Sequence, residues 1–266
     1  MKTEVIVHYV LRIAIAMCFI GHGAFGVITK EIWCNYFAVF GIDKATAYMF
    51  MPWVGSIDIL LGIIMLFHPN RAVCFWLIGW GAITAFLRPM SGEPFAEFIE
   101  RAGNFGAPLA LIILSGNFNP RSQLFTKLDP NAQTSPGTLE TVSYCLKVVV
   151  FMLLMGHGWL NLLEKKGLLN QYASLGFANP AKVALIVGAF EVAAAFIVLI
   201  KPVRWMLLVL FVWKASTELF YPHYELFEWI ERGGSYGSIL ALWFTLKQTS
   251  EKFSPTPFNN LINKIY

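Results

Sequence analysis

Two histidines lie inside apolar runs of the sequence, each between two glycines. His22 occurs in FIGHGAFG, residues 19–26, and His157 occurs in LMGHGWLN, residues 154–161. An ionisable side chain within a membrane span usually faces the interior of a helix bundle or a cavity. A buried imidazole can fix packing through a hydrogen bond, ligate a haem iron or another metal, or bind a quinone and carry protons. His22 and His157 are therefore candidate cofactor ligands, and these roles stay open.

Two carboxylates occur at matched positions further along the chain. Asp58 ends the segment GSID, and Glu191 ends the segment GAFE. A carboxylate in an apolar surrounding needs a cation or a hydrogen-bond donor as its partner. We expect His22 to pair with Asp58 and His157 to pair with Glu191. Such a pair serves either catalysis or the locking of two helices.

A charged decapeptide also occurs twice, as EFIERAGNFG at 97–106 and EWIERGGSYG at 228–237. In a helix, residues four apart share one face, so Glu97 is expected to pair with Arg101 and Glu228 with Arg232. We interpret these as structural ion pairs. The glycines of both motifs would allow close contact between helices.

Further polar and aromatic residues precede the second motif. Lys214 and Glu218 are candidate catalytic groups, and His223 lies close to them in the sequence. Trp80 and Trp213 hold matched positions and are candidate cofactor-stacking residues. The second half is the more polar, which favours it as the active half if only one is active.

The elements that must position these residues are membrane-spanning helices. The chain has 266 residues, 57% hydrophobic and only 14% charged, with a mean hydropathy of +0.59. This composition indicates an all-α polytopic membrane protein in contact with the lipid bilayer. No basic cluster suggests nucleic acid as a partner, and no motif of a soluble nucleotide-binding or hydrolytic enzyme is present. Eight spans are predicted, at 5–28, 47–67, 71–88, 99–116, 139–162, 181–200, 203–220 and 229–247.

The two halves of the chain align with each other. HPNRAV at 68–73 matches KPVRWM at 201–206, and WGAITAFLRP at 80–89 matches WKASTELFYP at 213–222. We predict a four-span repeat at 1–116, a polar linker at 117–138, and a second repeat with a short tail at 139–266. An even number of spans per repeat gives both repeats the same orientation. The expectation is two tandem four-helix bundles related by a pseudo-twofold axis along the membrane normal.

Charge bias gives a weak preference for orientation. With eight spans both termini lie on one side, which carries 11 of the 20 Lys and Arg residues and leaves 9 on the other. The positive-inside rule then predicts cytoplasmic termini. We expect the protein in a bacterial inner membrane, with the acidic motifs facing the periplasm.

Each half resembles the DoxX-like membrane family, through a glycine-flanked site in the first span, a carboxylate after a glycine in the second, and short third and fourth spans. The resemblance covers nearly the whole chain twice and implies a four-helix bundle per repeat. The family includes the membrane subunit of thiosulfate:quinone oxidoreductase and subunits associated with electron-transfer complexes. Among the candidate residues, only Asp58 and Glu191 match the acid of the second span.

Two functions follow from these observations. The first is a membrane subunit of an electron-transfer system, in which a haem or a quinone is held by His22 and His157 and the matched carboxylates tune it. Other membrane or periplasmic subunits would be its partners. The alternative is a non-catalytic protein, either a small-solute carrier or an assembly subunit of a larger complex. Buried ionisable residues at a repeat interface are also typical of transporters.

Overall fold

The protein consists of helices and connections throughout the part of the chain that the computed structural model describes, residues 1–116, 123–132, 134–135, 137–220 and 226–252. His223 lies outside these residues. The α-helices, in chain order, are α1 Thr3–Val27, α2 Trp33–Ala38, α3 Lys44–Phe67, α4 Arg71–Met90, α5 Ala96–Glu100, α6 Ala102–Leu114, α7 Thr138–Leu162, α8 Lys166–Ser174, α9 Pro180–Ile200, α10 Arg204–Thr217, α11 Leu226–Glu231 and α12 Gly233–Lys252.

Five of these helices, among the described residues, are long and apolar enough to cross a membrane: α1, α3, α4, α7 and α9. A helix rises about 1.5 Å per residue, so about 20 residues are needed to cross the roughly 30 Å of hydrocarbon. The predicted class of an all-α membrane protein therefore agrees with the fold. The other three predicted spans are helical too, as α6, α10 and α12.

The predicted fourth span, 99–116, is interrupted. Helix α5 ends at Glu100, and α6 begins at Ala102 and has only 13 residues. A helix of that length covers about 20 Å, less than the hydrocarbon thickness. Arg101 lies between the two helices with non-helical backbone angles (φ −90°, ψ 16°), and its guanidinium bonds to the carboxylates of Glu97 and Glu100 on α5.

Short polar side chains define where several helices begin. The Asp43 carboxylate accepts from the backbone amides of Ala45 and Thr46 at the start of α3. Asn70 caps α4 in the same way, through the amide of Val73. Such caps satisfy amides that have no partner within the helix. They fix the ends of the helices that carry the site residues.

Helices α1 and α7 end in the same way. Seven residues after each histidine, Thr29 and Glu164 adopt positive φ angles of 55° and 53°. The amide of the next residue, Lys30 or Lys165, then bonds back to the carbonyl of Phe25 or Leu160. The first long helix of each half therefore ends in the same turn, and a lysine follows that turn at matched positions.

Glycines let the first and second long helices of each half touch along their backbones. A Cβ at Gly23 of α1 would overlap the carbonyl oxygen of Gly55 on α3, and Gly158 faces Gly188 in the same way between α7 and α9. Only glycine permits such close approach of two helices. This packing brings the second-span carboxylates beside the first-span histidines.

The two halves also pack on each other. Helix α1 contacts α11 and α12 of the second half, and α7 contacts α5 and α6 of the first half. Gly103 on α6 and Gly234 on α12 meet backbone to backbone. One apolar cluster contains buried residues of both halves, including Leu111 and Leu146.

The segment predicted as a polar linker is partly docked onto the first half. The Leu128 side chain is buried, and its amide donates to the carbonyl of Pro69 in the turn before α4. The carbonyl of Leu124 accepts from the amide of Ala72 at the start of that helix. The described part of the segment is therefore held against the α3–α4 turn.

Candidate functional site

His22 and Asp58 form a hydrogen-bonded pair between α1 and α3. His22 Nδ1 lies 2.8 Å from Asp58 Oδ2, and the Asp58 side chain is 1% exposed. The glycine contact between the two helices makes this distance possible, and the pair is the one expected from the sequence. Because Nδ1 is bonded to a carboxylate, Nε2 is the nitrogen left for another partner. The His22 ring also packs at a tilt on Trp33, with ring centroids 4.7 Å apart.

His157 and Glu191 form the matched pair between α7 and α9, again as expected. His157 Nδ1 lies 2.5 Å from Glu191 Oε2, and Lys214 Nζ of α10 lies 3.3 Å from Glu191 Oε1. Asn161 donates to the carbonyl of His157, and Tyr172 on α8 donates to Asn161. The second pair is thus enclosed by additional hydrogen-bonding side chains.

The largest difference between the halves is the space beside each histidine. A cavity of about 370 Å³ adjoins His22. Its wall combines aromatic and charged side chains, and includes Phe25, Trp33, Tyr36, Phe37, Phe40, Trp80, Lys30, Arg88, Glu93, Arg101, Lys165, Glu228, Glu231 and Arg232. The space beside His157 is about 10 Å³, and its wall includes Glu100, Lys214, Glu218 and Arg232. That is room for about one water molecule.

Two residues that bond to the histidine–carboxylate pair of the second half replace glycines of the first half. In the alignment of the halves, Lys214 stands where the first half has Gly81, and Asn161 stands where it has Gly26. In the first half the two glycines permit close helix packing, since a Cβ at Gly26 would overlap the backbone of α3 and a Cβ at Gly81 would press on the backbone of α6. The larger cavity thus adjoins the histidine of the first half, although its wall includes residues of both halves and the polar residues of the sequence favoured the second half.

The predicted catalytic residues Glu191, Lys214 and Glu218 come together around His157. All three are buried, and Lys214 and Glu218 line the small space described above. Their arrangement is that of a filled ion-pair cluster, in which Glu191 is bonded from two sides. Catalytic roles for these residues stay predictions.

The two tryptophans of the sequence analysis differ in their surroundings. Trp80 lines the cavity beside His22, and its indole Nε1 is buried with no hydrogen-bond partner among the described residues. Trp213 packs on Phe190 at a centroid distance of 4.9 Å and lines neither the His22 cavity nor the His157 space. Only the first of the pair is placed to meet a ligand in the His22 cavity.

The charged decapeptides bind across the two halves. Arg101 Nη1 lies 2.6 Å from Glu97 Oε2, as expected for the first motif. Glu97 also binds Lys165 of the second half, and in the matched contact Lys30 of the first half lies 2.6 Å from Glu228. In the second motif Arg232 binds Glu100 of the first half, and the Glu228–Arg232 pair stays a prediction.

Charge compensation in this network is strong. Burial of the Glu100 carboxyl raises its pKa, but the nearby charges of Arg232 and Arg101 outweigh burial and hold the pKa well below its usual range. The pKa of Glu97 is lowered in the same way, against burial, chiefly by Arg101. Both carboxyls therefore remain ionised at neutral pH.

Sequence reasoning missed several residues of the cavity. Trp33 and Tyr36 lie on the short helix α2, between predicted spans. Glu231 belongs to the second charged decapeptide, but nothing in the sequence assigned it a role of its own. The lysines that connect the halves were also missed. Their signal was available, because Lys30 and Lys165 each follow a GHG histidine by eight residues.

Metal binding by the two histidines has no further support in the side-chain geometry. No group of three or more His, Cys, Asp or Glu side chains in the described ranges is arranged to hold a metal ion. His22 and His157 line different spaces. Haem ligation by these residues stays a prediction.

Comparison of the chain with protein-family models, with curated proteins and with solved structures finds no match.

Proposed function

We propose that this membrane protein binds the ring of a lipid-soluble quinone in the cavity beside His22 and serves as a membrane subunit of an electron-transfer system. The observation that carries the proposal is the His22–Asp58 pair at the wall of a cavity of about 370 Å³ with several aromatic side chains. Ligand sites are typically apolar cavities of this size with a few placed polar groups.

The walls of the cavity favour a ligand that comes from the bilayer. Phe40 and Ile83 belong to the wall, yet they are 63% and 51% exposed. In a membrane protein, such apolar side chains face lipid or the interface. A ligand that passes between them must itself be soluble in lipid.

The polar groups of the cavity suit a quinone ring. With Nδ1 bonded to Asp58, His22 has Nε2 left for a ring oxygen: this nitrogen accepts from a ring hydroxyl when the imidazole is neutral and donates to a ring carbonyl when the imidazole is protonated. The carboxylate fixes the orientation of the imidazole. Trp80 Nε1 is a buried donor without a partner among the described residues, and a ligand oxygen would satisfy it. A bound quinone would supply two-electron, two-proton chemistry.

A haem fits the same cavity less well. His22 is the only histidine among the described residues of its wall, so the cavity offers a single imidazole as an axial ligand. The nitrogen that would bind iron is also the one that would serve a quinone. The aromatic wall and the unpaired indole donor favour the flat organic ring.

A related proposal concerns the arrangement of the chain. We infer that the two halves are related by a pseudo-twofold axis along the membrane normal and that the unit is DoxX-like. The matched glycine contacts, the matched helix ends at Thr29 and Glu164, and the reciprocal lysine pairs support this. A bacterial inner membrane with cytoplasmic termini, and other subunits as electron partners, belong to the same proposal.

A small-solute carrier is the second candidate. Residues of both halves line the cavity, with His22 and Trp80 from the first and Glu231 and Arg232 from the second. Transporter sites commonly lie at such repeat interfaces. The buried ion pair between Arg232 and Glu100 weighs against the relative motion of the halves that transport needs. An assembly subunit would have no need of the cavity.

Quinone binding is tested by titrating the full chain in lipid nanodiscs with decylubiquinone while tryptophan fluorescence is followed. Trp33 and Trp80 line the cavity, so bound quinone should quench them. We expect saturable quenching that His22→Ala weakens at least tenfold. The matched control is His68→Ala, at an exposed residue distant in the sequence.

Quenching that His22→Ala leaves unchanged would overturn the proposed site. A Soret band in the purified protein that His22→Ala removes would replace quinone by haem. Flux of a solute through proteoliposomes, without quinone binding, would favour the carrier.

A further inference from the structure

The pseudo-equivalent carboxylates Glu100 and Glu231 have different surroundings. They are the second glutamates of the two charged decapeptides, and each follows an isoleucine. Glu100 is 4% exposed and is bound by both Arg101 and Arg232. Glu231 lines the His22 cavity, and its side chain forms no hydrogen bond or ion pair in the part of the chain that the structure describes.

Backbone packing places Glu231 next to the histidine. A Cβ at Gly21 would overlap the backbone nitrogen of Glu231, so α1 and the end of α11 touch at the residue that precedes His22. In the other half, Gly156 meets Glu100 in the same way. Glu231 therefore stands beside His22 as Glu100 stands beside His157, but among the described residues no arginine forms an ion pair with it.

In the described part of the chain, no cation of the cavity wall forms an ion pair with Glu231. Lys30 binds Glu228, Lys165 binds Glu97, and Arg88 lies within 3.4 Å of both Glu93 and Glu97. Arg101 and Arg232 bind Glu100. Each of these cationic groups thus already has a carboxylate partner, which leaves the Glu231 carboxylate as an acceptor that a ligand can use.

His22 presents a second acceptor. When the Asp58 carboxylate accepts from Nδ1–H, the neutral imidazole carries a lone pair on Nε2. A carboxylate at Glu231 also accepts only. Two acceptors in one cavity suit a ligand with two hydroxyl donors, such as the reduced dihydroxy ring, better than a ring with two carbonyls.

We propose that the His22 cavity selects the quinol over the quinone and that Glu231 sets this preference by accepting a hydrogen bond from a ring hydroxyl. This inference rests on the proposed quinone-binding function. Trp80 Nε1 can donate to a phenolic oxygen or to a carbonyl oxygen, so it does not distinguish the two forms.

The test measures the Kd of decylubiquinol and of decylubiquinone separately, under anaerobic conditions at pH 7.5, with the full chain in nanodiscs. A net hydrogen bond contributes enough to change an equilibrium constant by about fivefold to tenfold. We expect the wild type to bind the quinol about that much more tightly. Glu231→Gln, whose amide can donate to a carbonyl, should reduce the ratio to about one.

Two further variants complete the design. Glu231→Asp keeps an acceptor and should retain a preference for the quinol, so a wild-type ratio in Glu231→Asp together with a ratio of one in Glu231→Gln supports the inference. Glu31→Gln removes an exposed carboxylate outside the cavity and should match the wild type.

The outcomes separate this inference from the function on which it rests. If both forms bind to the wild type with equal Kd, or if Glu231→Gln keeps the full preference, the role of Glu231 is overturned and quinone binding stands. If neither form binds to the wild type, the proposed function fails and the inference fails with it.

Discussion

Arg232, which precedes α12 in the second half, forms an ion pair with Glu100, which ends α5 in the first half. Arg101 of the first half binds the other oxygen of the same carboxylate, at 2.9 Å. One buried carboxylate is therefore held by two guanidinium groups from different halves. This contact connects the halves beside both histidine sites.

Removal of Glu100 should destabilise the protein. In Glu100→Gln, two buried or half-buried guanidinium groups lose a charged partner, which typically costs about 3 kcal/mol or more. For a chain of this size we expect the apparent Tm in detergent to fall by roughly 5–10 °C. The control is Glu31→Gln, which breaks the exposed pair with Lys44 and should change Tm by less than about 2 °C. Equal effects of the two variants would contradict the structural role of Glu100.

The same network predicts how stability depends on pH. The pKa values of Glu97 and Glu100 are lower in the folded protein than in the unfolded chain. Stabilisation by these carboxylates is therefore complete above the unfolded pKa, near 4.3, and is lost as the pH falls through the folded values. The apparent Tm should decrease from pH 5 to pH 3, and Glu100→Gln should show a smaller decrease. Parallel curves for wild type and variant would rule out this source of the pH dependence.

The close approach of α1 and α3 predicts a steric effect at Gly23. A Cβ there would overlap the Gly55 carbonyl oxygen and the backbone of Ile59. Gly23→Ala should therefore lower the apparent Tm and separate His22 from Asp58. Gly79→Ala is the matched control, since Gly79 is helical and a Cβ meets no atom within 4 Å. We expect Gly79→Ala to leave Tm unchanged or to raise it slightly, because alanine favours helix.

Much of this architecture was predictable from repeated residues. The GHG segments and the acids that follow GSI and GAF predicted the pairs of His22 with Asp58 and of His157 with Glu191, because the repeat constrains which spans are neighbours. Hydropathy predicted eight spans, and each of them overlaps a helix of the structure, but hydropathy did not predict the break at Arg101. A single charged residue between apolar runs does not reveal whether a helix continues through it.

The cavity could not be predicted in the same way. Its wall combines residues of both halves with residues of the short helix α2, such as Trp33 and Tyr36, and no repeat or hydropathy pattern shows that these come together. Counting polar side chains favoured the second half, since ionisable residues are concentrated there. Those residues satisfy each other in the folded chain, and the half with fewer of them keeps the open space.

Lys214 should prove important for stability. Its ammonium group lies 3.3 Å from Glu191, whose other oxygen is bonded to His157. Lys214→Met keeps a similar side-chain length but leaves Glu191 with one partner, so we expect the apparent Tm to fall by several degrees. Glu4→Gln, at a half-buried residue of the first turn of α1, provides a charge-removing control at a residue with no ion pair among the described residues. An unchanged Tm in Lys214→Met would show that the Lys214–Glu191 contact does not contribute to stability.

Asp58 should control ligand binding through His22. Asp58→Asn keeps the shape of the side chain but removes the charge that orients the imidazole and fixes the proton on Nδ1. We expect the Kd of decylubiquinol to rise about tenfold, a typical effect of losing such a partner of a functional histidine. Asp43→Asn makes the same change at the exposed N-cap of α3, where asparagine is also a good cap, and should leave Kd within twofold of the wild type. If Asp58→Asn binds as tightly as Asp43→Asn, the carboxylate does not act through His22, and the pair serves only to hold α1 against α3.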